Sequence, residues 1–143
     1  MKEKLKFALG QLNTISLLFQ CGGASLWRPG MERIVPPKAI LVVQGGQLGD
    51  MVCTTPLFRA IKEKFPTVRL VVMGNALNKD VLAGNPHIDE YIVYNTYTST
   101  VGSLRQLLRT HHIEYACITS PDFTMTAALY LTGIHHIVAL FVD

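Results

Sequence analysis

From residue 38 onward, short apolar runs rich in β-branched residues alternate with stretches of helical periodicity. The apolar runs predict buried strands at 39–43, 68–73, 91–94, 115–119 and 136–141. Between them, the periodic stretches predict helices at 50–65, 75–83, 101–111 and 122–131. This alternation indicates βαβ units around a parallel sheet. Because such crossovers are right-handed, the predicted fold is an α/β, Rossmann-like domain of three layers.

The helix predicted at 50–65 has one apolar face. Its members recur at helical spacing and should pack together on the sheet; they are Leu57, Ala60, Ile61 and Phe65. Pro66 ends the helix, because proline cannot continue the backbone hydrogen bonds. Lys62, Lys64 and Arg69 are interpreted as a solvated face.

Residues 2–20 predict a separate amphipathic helix ahead of the domain. Its apolar residues share one face, and they are Leu5, Ala8, Leu9, Leu12, Ile15 and Phe19. Packing on the domain or on a partner is the favoured interpretation, and contact of the lysine-rich start with an anionic membrane surface is the alternative. Polar residues interrupt the segment, so neither a membrane-spanning helix nor a secretory signal is predicted. The glycine- and proline-rich residues 21–37 are interpreted as a linker.

The composition is that of a folded protein. Of 143 residues, 49% are hydrophobic and 16% charged, which excludes wholesale disorder and fits one domain at 38–143. Residues 1–38 hold six basic and two acidic side chains, whereas residues 39–143 hold seven and eight. A nearly neutral body argues against a nucleic-acid-binding surface. The three cysteines form no CxxC pair, which argues against a disulfide framework or a zinc site and favours the reducing cytoplasm.

The turn after the first predicted strand carries the candidate chemistry. It reads QGGQLGD over 44–50 and leads into a helix whose first N–H groups have no partner within the helix. In parallel sheets, ligands bind beyond the carboxyl ends of the strands, where this turn is expected. Gly46 and Gly49 fit part of a dinucleotide fingerprint, but Gln44 replaces its first glycine. The second strand also lacks the acidic residue that holds a ribose, so a nicotinamide or flavin dinucleotide is disfavoured.

Asp50 is the titratable residue of this turn. Its carboxylate is placed to accept a proton from a substrate hydroxyl, and the helix N-terminus favours the ionised form. An aspartate at a helix start is also an ordinary N-cap, because its side chain accepts hydrogen bonds from the first N–H groups. From the residues alone the capping role is favoured, and general base catalysis is the alternative.

Two pairs of adjacent histidines suggest a metal site at first sight. They are His111-His112 and His135-His136. Adjacent side chains point in different directions, and no carboxylates join them at ligand spacing. Helix-end capping and solvation at a strand edge are the favoured interpretations, and no metal site is predicted.

Four further side chains have a structural and a functional interpretation. Asp122 is interpreted as the N-cap of the helix that follows it, with a ligand contact as the alternative, since the loop borders the same edge of the sheet. Cys53 is interpreted as a small packing residue. The alternative is a reactive thiol, because the nearby helix start would lower its pKa. Arg105 and Arg109 lie four apart on one helix and are interpreted as solvent-facing, with a phosphate contact as the alternative.

Three short motifs follow one another within the predicted domain: LGD at 48–50, TTPL at 54–57 and NPHID at 85–89. Their order and spacing resemble the family 9 glycosyltransferases, the lipopolysaccharide heptosyltransferases. That family typically has an L-G-D turn after its first strand, a T-x-P-hydrophobic helix start and, after the second helix, an N-P-x-I-D segment. The resemblance covers residues 38–140.

The resemblance implies the N-terminal half of a GT-B fold, in which two Rossmann-like domains face each other across a cleft. It implies inverting transfer of a sugar, expected to be heptose from ADP-heptose, to a lipopolysaccharide or related glycan acceptor, without a cofactor or an essential metal. Asp50 would be the catalytic base. The substrate-binding residues that it implies are Gly45, Gly46, Gly49, Thr54 and Thr55.

The resemblance also implies a division of labour between domains. Residues 38–143 would form the acceptor-side domain, and the nucleotide sugar would bind a C-terminal domain that is expected outside this chain, since a GT-B enzyme needs roughly 300 residues. The acceptor would be a glycan or lipid-linked sugar at the inner face of the bacterial cytoplasmic membrane. Where the family usually has a basic residue this chain has Gln44, so a charge contact with a phosphorylated substrate is lost. A non-catalytic Rossmann-like module that binds a nucleotide or glycan, and a truncated remnant that serves as an interaction partner, are the alternatives.

Overall fold

A five-stranded parallel sheet forms the centre of the domain. The computed structural model describes residues 36–95, 100–134 and 136–139. The strands are β1 (Ala39–Gln44), β2 (Arg69–Gly74), β3 (Glu90–Val93), β4 (Tyr115–Ile118) and β5 (His136–Ala139). Their order across the sheet is β3-β2-β1-β4-β5, and every neighbouring pair is parallel. The predicted α/β, Rossmann-like fold is confirmed.

Helices connect the strands and cover both faces of the sheet. They are α1 (Leu48–Lys64), α2 (Ala76–Val81), α3 (Val101–Thr110) and α4 (Phe123–Thr132). Met51 and Phe58 of α1 pack against one face of β1 and β2, whereas Leu104 of α3 and Met125 of α4 pack against the other face. Alternate residues of a strand point to opposite faces, so the two cores share the same strands.

The central strand β1 is the most enclosed element. All six of its residues are buried, because β2 and β4 flank it and helices cover both of its faces. This explains its uninterrupted apolar sequence up to Val43. The last residue, Gln44, is polar and yet only 2% exposed, so its side-chain amide needs partners inside the protein.

Two details of the first helix differ from the prediction. The helix begins at Leu48 and not at Asp50. Its buried face consists of Met51, Thr54 and Phe58, with Leu57, Ile61 and Phe65 partly buried beside them, whereas Ala60 is exposed. The prediction of Ala60 as a core residue was wrong, because the polar Thr54 lies within the buried stripe and disguises its 3-4-3-4 spacing.

The predicted solvated basic face is corrected at Lys62, whereas Arg69 is exposed. Lys62 is only 19% exposed, and its ammonium group donates to the Asp89 carboxylate at 2.5 Å and to the Val68 carbonyl oxygen at 2.7 Å. Arg69 forms an ion pair with Glu90. Lysine and arginine stems cover apolar surface while their charged ends reach acidic partners, here at the beginning of β2 and β3. Lys64 is exposed, as predicted.

Arg105 is exposed, as predicted, whereas His136 differs from the prediction. The Arg105 guanidinium donates to the carbonyl oxygens of Leu131 and Thr132, so it caps the last turn of α4. The His136 ring stacks on Tyr115 at a centroid distance of 4.3 Å and is partly buried. Its position at a strand edge therefore does not make it a solvated residue. His111 caps the end of α3, as predicted.

The remaining boundaries agree with the predictions within one or two residues. The predicted Asp122 cap is confirmed, because its Oδ1 accepts from Met125 N–H at 2.9 Å. Gly133 ends α4 with φ at 89°, a left-handed conformation that glycine adopts without steric cost.

The predicted amphipathic helix at 2–20, most of the linker and residues 140–141 of the predicted last strand lie outside the described residues. Within the ranges that are described, no helix is long and apolar enough to cross a bilayer.

The Lys62–Asp89 pair makes stability depend on pH. Burial opposes the charged form of Asp89, but hydrogen bonds from Lys62 and Leu70 N–H and the nearby cations outweigh it, so the pKa of Asp89 lies below its ordinary value of 3.8. The stabilisation is therefore complete above that value and is lost as the pH falls through the folded-state pKa. We expect Asp89→Asn to reduce the free energy of unfolding by on the order of 1 kcal/mol at neutral pH.

Urea titrations of both proteins from about pH 7 to pH 2.5 measure this difference. The difference in unfolding free energy between the two proteins should shrink at acid pH, because the protonated Asp89 of the wild type is then as uncharged as asparagine. A difference that is constant across this range contradicts the assignment.

Candidate functional site

The turn between β1 and α1 lies at the edge where the strand order reverses. The chain passes from β1 to β2 and β3 on one side and then returns to β4 and β5 on the other. The connections from the carboxyl ends of β1 and β4 therefore diverge, which leaves a crevice at this edge. Residues 44–50 lie at its border, together with the loop 119–122 after β4.

The buried side chain of Gln44 organises this turn. Its Oε1 accepts from Gly46 N–H at 2.9 Å, and its Nε2 donates to Thr54 Oγ1 at 3.3 Å. Both ends of the amide are thus engaged, one with the turn and one with α1. A lysine or arginine has no acceptor atom and cannot replace the bond to Gly46. Gln44 therefore supports the shape of the turn and presents no charge to the crevice.

Asp50 is exposed to solvent, and one of its oxygens is held by the turn. Its Oδ2 accepts from Gln47 N–H at 2.9 Å. Gln47 is the N-cap residue of α1 and Asp50 is the third residue of the helix, which is the acidic partner of a capping box. The predicted N-cap position of Asp50 is corrected to this one. The spacing of a polar residue three positions before an acidic residue is the sequence signal for it.

Both threonines of the TTP motif have a bond within α1. Thr54 is 7% exposed, and its hydroxyl donates to the Asp50 carbonyl oxygen at 2.8 Å. Thr55 donates to the Val52 carbonyl oxygen at 2.8 Å. That carbonyl lacks its usual helical partner, because Pro56, four residues on, has no N–H. The bond from Thr55 thus explains how the helix continues through Pro56. The substrate contacts implied for the two threonines stay a prediction.

The three glycines of the turn differ in their surroundings. A Cβ atom at Gly46 would lie 2.5 Å from Asp50 Oδ2 and 2.9 Å from Gln44 Oε1. The backbone of Gly46 therefore touches the carboxylate, and a larger residue would displace it. Gly45 and Gly49 have open space where a side chain would be, so their free sides face the solvent.

A second group of polar residues, which the sequence analysis missed, holds the turn from the β2 side. The side-chain amides of Asn75 and Asn78 both donate to the Gly46 carbonyl oxygen, at 3.1 and 3.3 Å. Tyr91 donates its hydroxyl to the Asn75 carbonyl oxygen at 2.8 Å, and burial raises the pKa of Tyr91 to about 12. The position of Asn75 two residues after the strand predicted at 68–73 was the available signal.

The β4 loop approaches the turn through Thr119. Its N–H and its hydroxyl both donate to the Val43 carbonyl oxygen, and its hydroxyl oxygen lies 3.5 Å from that of Thr54. Asp122 faces the first turn of α4 and makes no hydrogen bond to residues 44–50 among the described residues. The ligand contact considered for Asp122 stays a prediction.

The crevice edge also carries exposed apolar side chains. Leu48 and Val52 lie one helical turn apart on α1 and are each 49% exposed, and Phe123 at the start of α4 is 46% exposed. Leu48 and Val52 stand two residues before and two residues after Asp50 in α1, and positions two apart do not face each other on a helix.

A cavity lies elsewhere in the domain. It has a volume of about 860 Å³ and borders the amino ends of β1, β4 and β5, with Lys38, Arg109 and His112 among its lining residues. No residue of the 44–50 turn lines it. The candidate site is the turn, because the Asp50 carboxylate and the hydrogen bonds that fix the turn meet at the carboxyl edge of the sheet. Among the residues that are described, no group of three His, Cys, Asp or Glu side chains is arranged to hold a metal ion.

These features define a Rossmann-like α/β domain with a carboxylate-bearing turn at the carboxyl edge of its sheet. The chain matches no protein-family model and no curated protein sequence. Among solved structures, it is similar to a glycosyl transferase family 9 protein from Veillonella parvula DSM 2008, with a TM-score of 0.55 and 21% sequence identity. The alignment covers 76% of this chain and 32% of that protein. At this identity the similarity establishes a common fold, and the chain spans about a third of the length of its structural neighbour.

The close approach of Gly46 and Asp50 leads to a specific prediction. We expect Gly46→Ala to push the Asp50 carboxylate and the Gln44 amide aside, because both are ends of side chains that can move. The loss of their hydrogen bonds should cost about 1–2 kcal/mol of unfolding free energy. The amide resonance of Gln47 should shift strongly, since its acceptor is displaced.

Gly45→Ala is the matched control, because open space surrounds that position. It should leave the Gln47 resonance and the free energy of unfolding nearly unchanged. Equal effects of the two substitutions would show that the contact with Asp50 does not determine the geometry of the turn.

Proposed function

We propose that this chain forms the acceptor-side domain of an inverting glycosyltransferase, with Asp50 as the general base. The observation that carries the proposal is the position of the Asp50 carboxylate. It is exposed at the carboxyl edge of the central strand, and one of its oxygens is fixed by Gln47 N–H. The fold common to this chain and a family 9 glycosyltransferase structure, together with the LGD, TTPL and NPHID motifs, supports the assignment.

The proposed step is a displacement at the anomeric carbon of a nucleotide sugar. Asp50 accepts the proton of an acceptor hydroxyl, and the acceptor oxygen forms a bond to the anomeric carbon from the face opposite the leaving group. The bond from that carbon to the nucleotide diphosphate breaks, and the diphosphate departs with the electron pair. The carboxylic acid then returns its proton to solvent. The configuration at the anomeric carbon is inverted.

The finer assignment rests on the motif resemblance. It makes ADP-heptose the donor and a lipopolysaccharide or related lipid-linked glycan the acceptor, with no cofactor and no essential metal. The donor would bind a second Rossmann-like domain that faces the turn, because positioning of both reactants is a large part of any transfer rate. Gly45, Gly46 and Gly49 would border the acceptor.

The turn after β1, where the acceptor is proposed to bind, differs from the family pattern at one position. Gln44 replaces the usual basic residue, and its amide is engaged with Gly46 and Thr54. A phosphate group on the acceptor would therefore find no cation at this position. Exposed Leu48 and Val52 provide apolar surface in the first turns of the same helix, which suits the hydrophobic face of a sugar ring.

A non-catalytic glycan- or nucleotide-binding module is the second candidate. It is favoured by the bonds that occupy polar groups of the turn internally. Asp50 Oδ2 completes a capping box, and both threonine hydroxyls are donors to α1 carbonyl groups. In that case Asp50 would serve the structure of α1 and would have no role in proton transfer.

Asp50→Asn distinguishes the two candidates. An asparagine oxygen can still accept from Gln47 N–H, so the free energy of unfolding should change by only about 0.5 kcal/mol. The asparagine amide cannot take up the proton of the acceptor hydroxyl, so turnover should fall by about 10²–10⁴-fold. The measurement is a transfer assay with a panel of ADP- and UDP-sugars, with the donor-binding domain present.

Asp80→Asn is the control, because it makes the same change in charge on the exposed surface of α2. It should retain turnover. If Asp50→Asn also retains turnover, the capping role is sufficient and the base assignment is wrong.

Localisation is proposed on the same resemblance, at the inner face of the cytoplasmic membrane, with residues 2–20 as the peripheral contact. We expect the full chain to sediment with vesicles that contain anionic lipid, and to lose most of this binding at high salt, since lysine attraction is screened. A chain without residues 1–30 should remain in the supernatant. Equal binding of both proteins would exclude this membrane contact.

A further inference from the structure

A single peptide group connects the asparagine side of the turn to the Asp50 side. Its carbonyl oxygen belongs to Gly46 and accepts from the amides of Asn75 and Asn78. Its N–H belongs to Gln47 and donates to Asp50 Oδ2. The group is planar and trans, so its C=O and N–H point in opposite directions. Whatever holds the carbonyl oxygen therefore also directs the N–H.

We propose that Asn75 and Asn78 are positioning residues, which fix the orientation of the Gly46–Gln47 peptide and so hold the Asp50 carboxylate in its working position. This inference rests on the proposed function for the role of Asp50 in transfer, although the geometric part can be tested without it. Neither asparagine touches the carboxylate, so both act through the peptide.

The surroundings of Asn78 support a role for its donor group. Its side chain is fully buried, and its Oδ1 has no hydrogen-bond partner among the described residues. An unpaired buried oxygen is unfavourable, and an apolar side chain of similar size would avoid that cost. What the side chain contributes in return is the bond from its Nδ2 to the Gly46 carbonyl oxygen. An asparagine at this position is thus explained by the turn and not by the packing of α2.

The alternative orientation of the peptide would be unfavourable for Asp50. Gly46 already lies against Asp50 Oδ2, at a distance that leaves no room for a Cβ atom. If the peptide turned over, the Gly46 carbonyl oxygen would face the carboxylate in place of the Gln47 N–H. Two oxygens of like partial charge would then repel each other, and the carboxylate would move. The two asparagine donors favour the productive orientation, because a carbonyl oxygen can accept two hydrogen bonds.

Two substitutions remove the donors selectively. Asn75→Asp retains the Oδ1 atom that accepts from Asn78 N–H at 3.0 Å and caps α2, but it replaces Nδ2 by an oxygen. Asn78→Leu removes the second donor together with the unpaired oxygen. The double variant Asn75→Asp/Asn78→Leu leaves the Gly46 carbonyl without either bond. Asn85→Asp is the matched control, since Asn85 Oδ1 accepts from His87 N–H at 3.0 Å in a similar local turn away from Gly46.

The readout is the solvent exchange rate of the Gln47 amide proton in the full chain, measured by NMR and compared with Val71 in the buried strand β2. In the double variant we expect exchange at Gln47 to accelerate about tenfold or more with Val71 unchanged, because only the turn is released. Asn85→Asp should leave both rates as they are. An unchanged rate at Gln47, or an equal acceleration at both amides, overturns the proposal.

The consequence for transfer is measured separately. Where the unaltered protein transfers sugar, the double variant should lower kcat about tenfold or more and change the KM for the acceptor little, since it disturbs the base and not the acceptor contacts. A large rise in KM with kcat retained contradicts a positioning role. Absence of transfer by the unaltered protein with every donor, in the presence of the donor-binding domain, refutes the proposed function, while faster exchange at Gln47 still supports the geometric role of the asparagines.

Discussion

The hydrogen bonds of the buried Gln44 amide hold the candidate site together. This side chain ends the central strand, accepts from the glycine turn and donates to the first helix. Because it is buried, each lost partner would leave a polar group without water, at a cost of about 1–3 kcal/mol. The conformation of the turn is therefore fixed by a side chain in the interior of the domain. For this reason Asp50, on the outer side of the turn, can be exposed to solvent and still be held in one position.

Much of the fold follows from the local sequence. The strand predicted at 39–43 is β1 to within one residue, because its apolar, β-branched residues must be buried on both faces. Gly133 and Asp122 mark the two ends of α4, since capping depends on a residue and its nearest neighbours. Features of this kind are local, and a single sequence is sufficient to predict them.

The site was less predictable, because its hydrogen bonds join residues that are distant in the sequence. The carbonyl oxygen of Gly46 is bound by Asn75 and Asn78, about thirty residues further on, and no periodicity indicates such a pair. Lys62 was interpreted as solvated for the same reason, since Asp89 reaches it only through the packing of β3 beside β2. Burial of the polar Thr54 likewise depends on Gln44 and the β4 loop. The sequence indicated candidate residues for the site, and the fold decided their hydrogen-bond partners.

The partly buried hydroxyl of Tyr91 has a consequence for how the site responds to acid and alkali. With its pKa raised to about 12, this phenol keeps its proton throughout the range in which proteins work. The bond that it donates to the backbone at the start of α2 is therefore constant, and so is the support that α2 provides beneath the turn. Titration curves recorded at this edge of the domain should report its carboxylates without interference from the scaffold behind them.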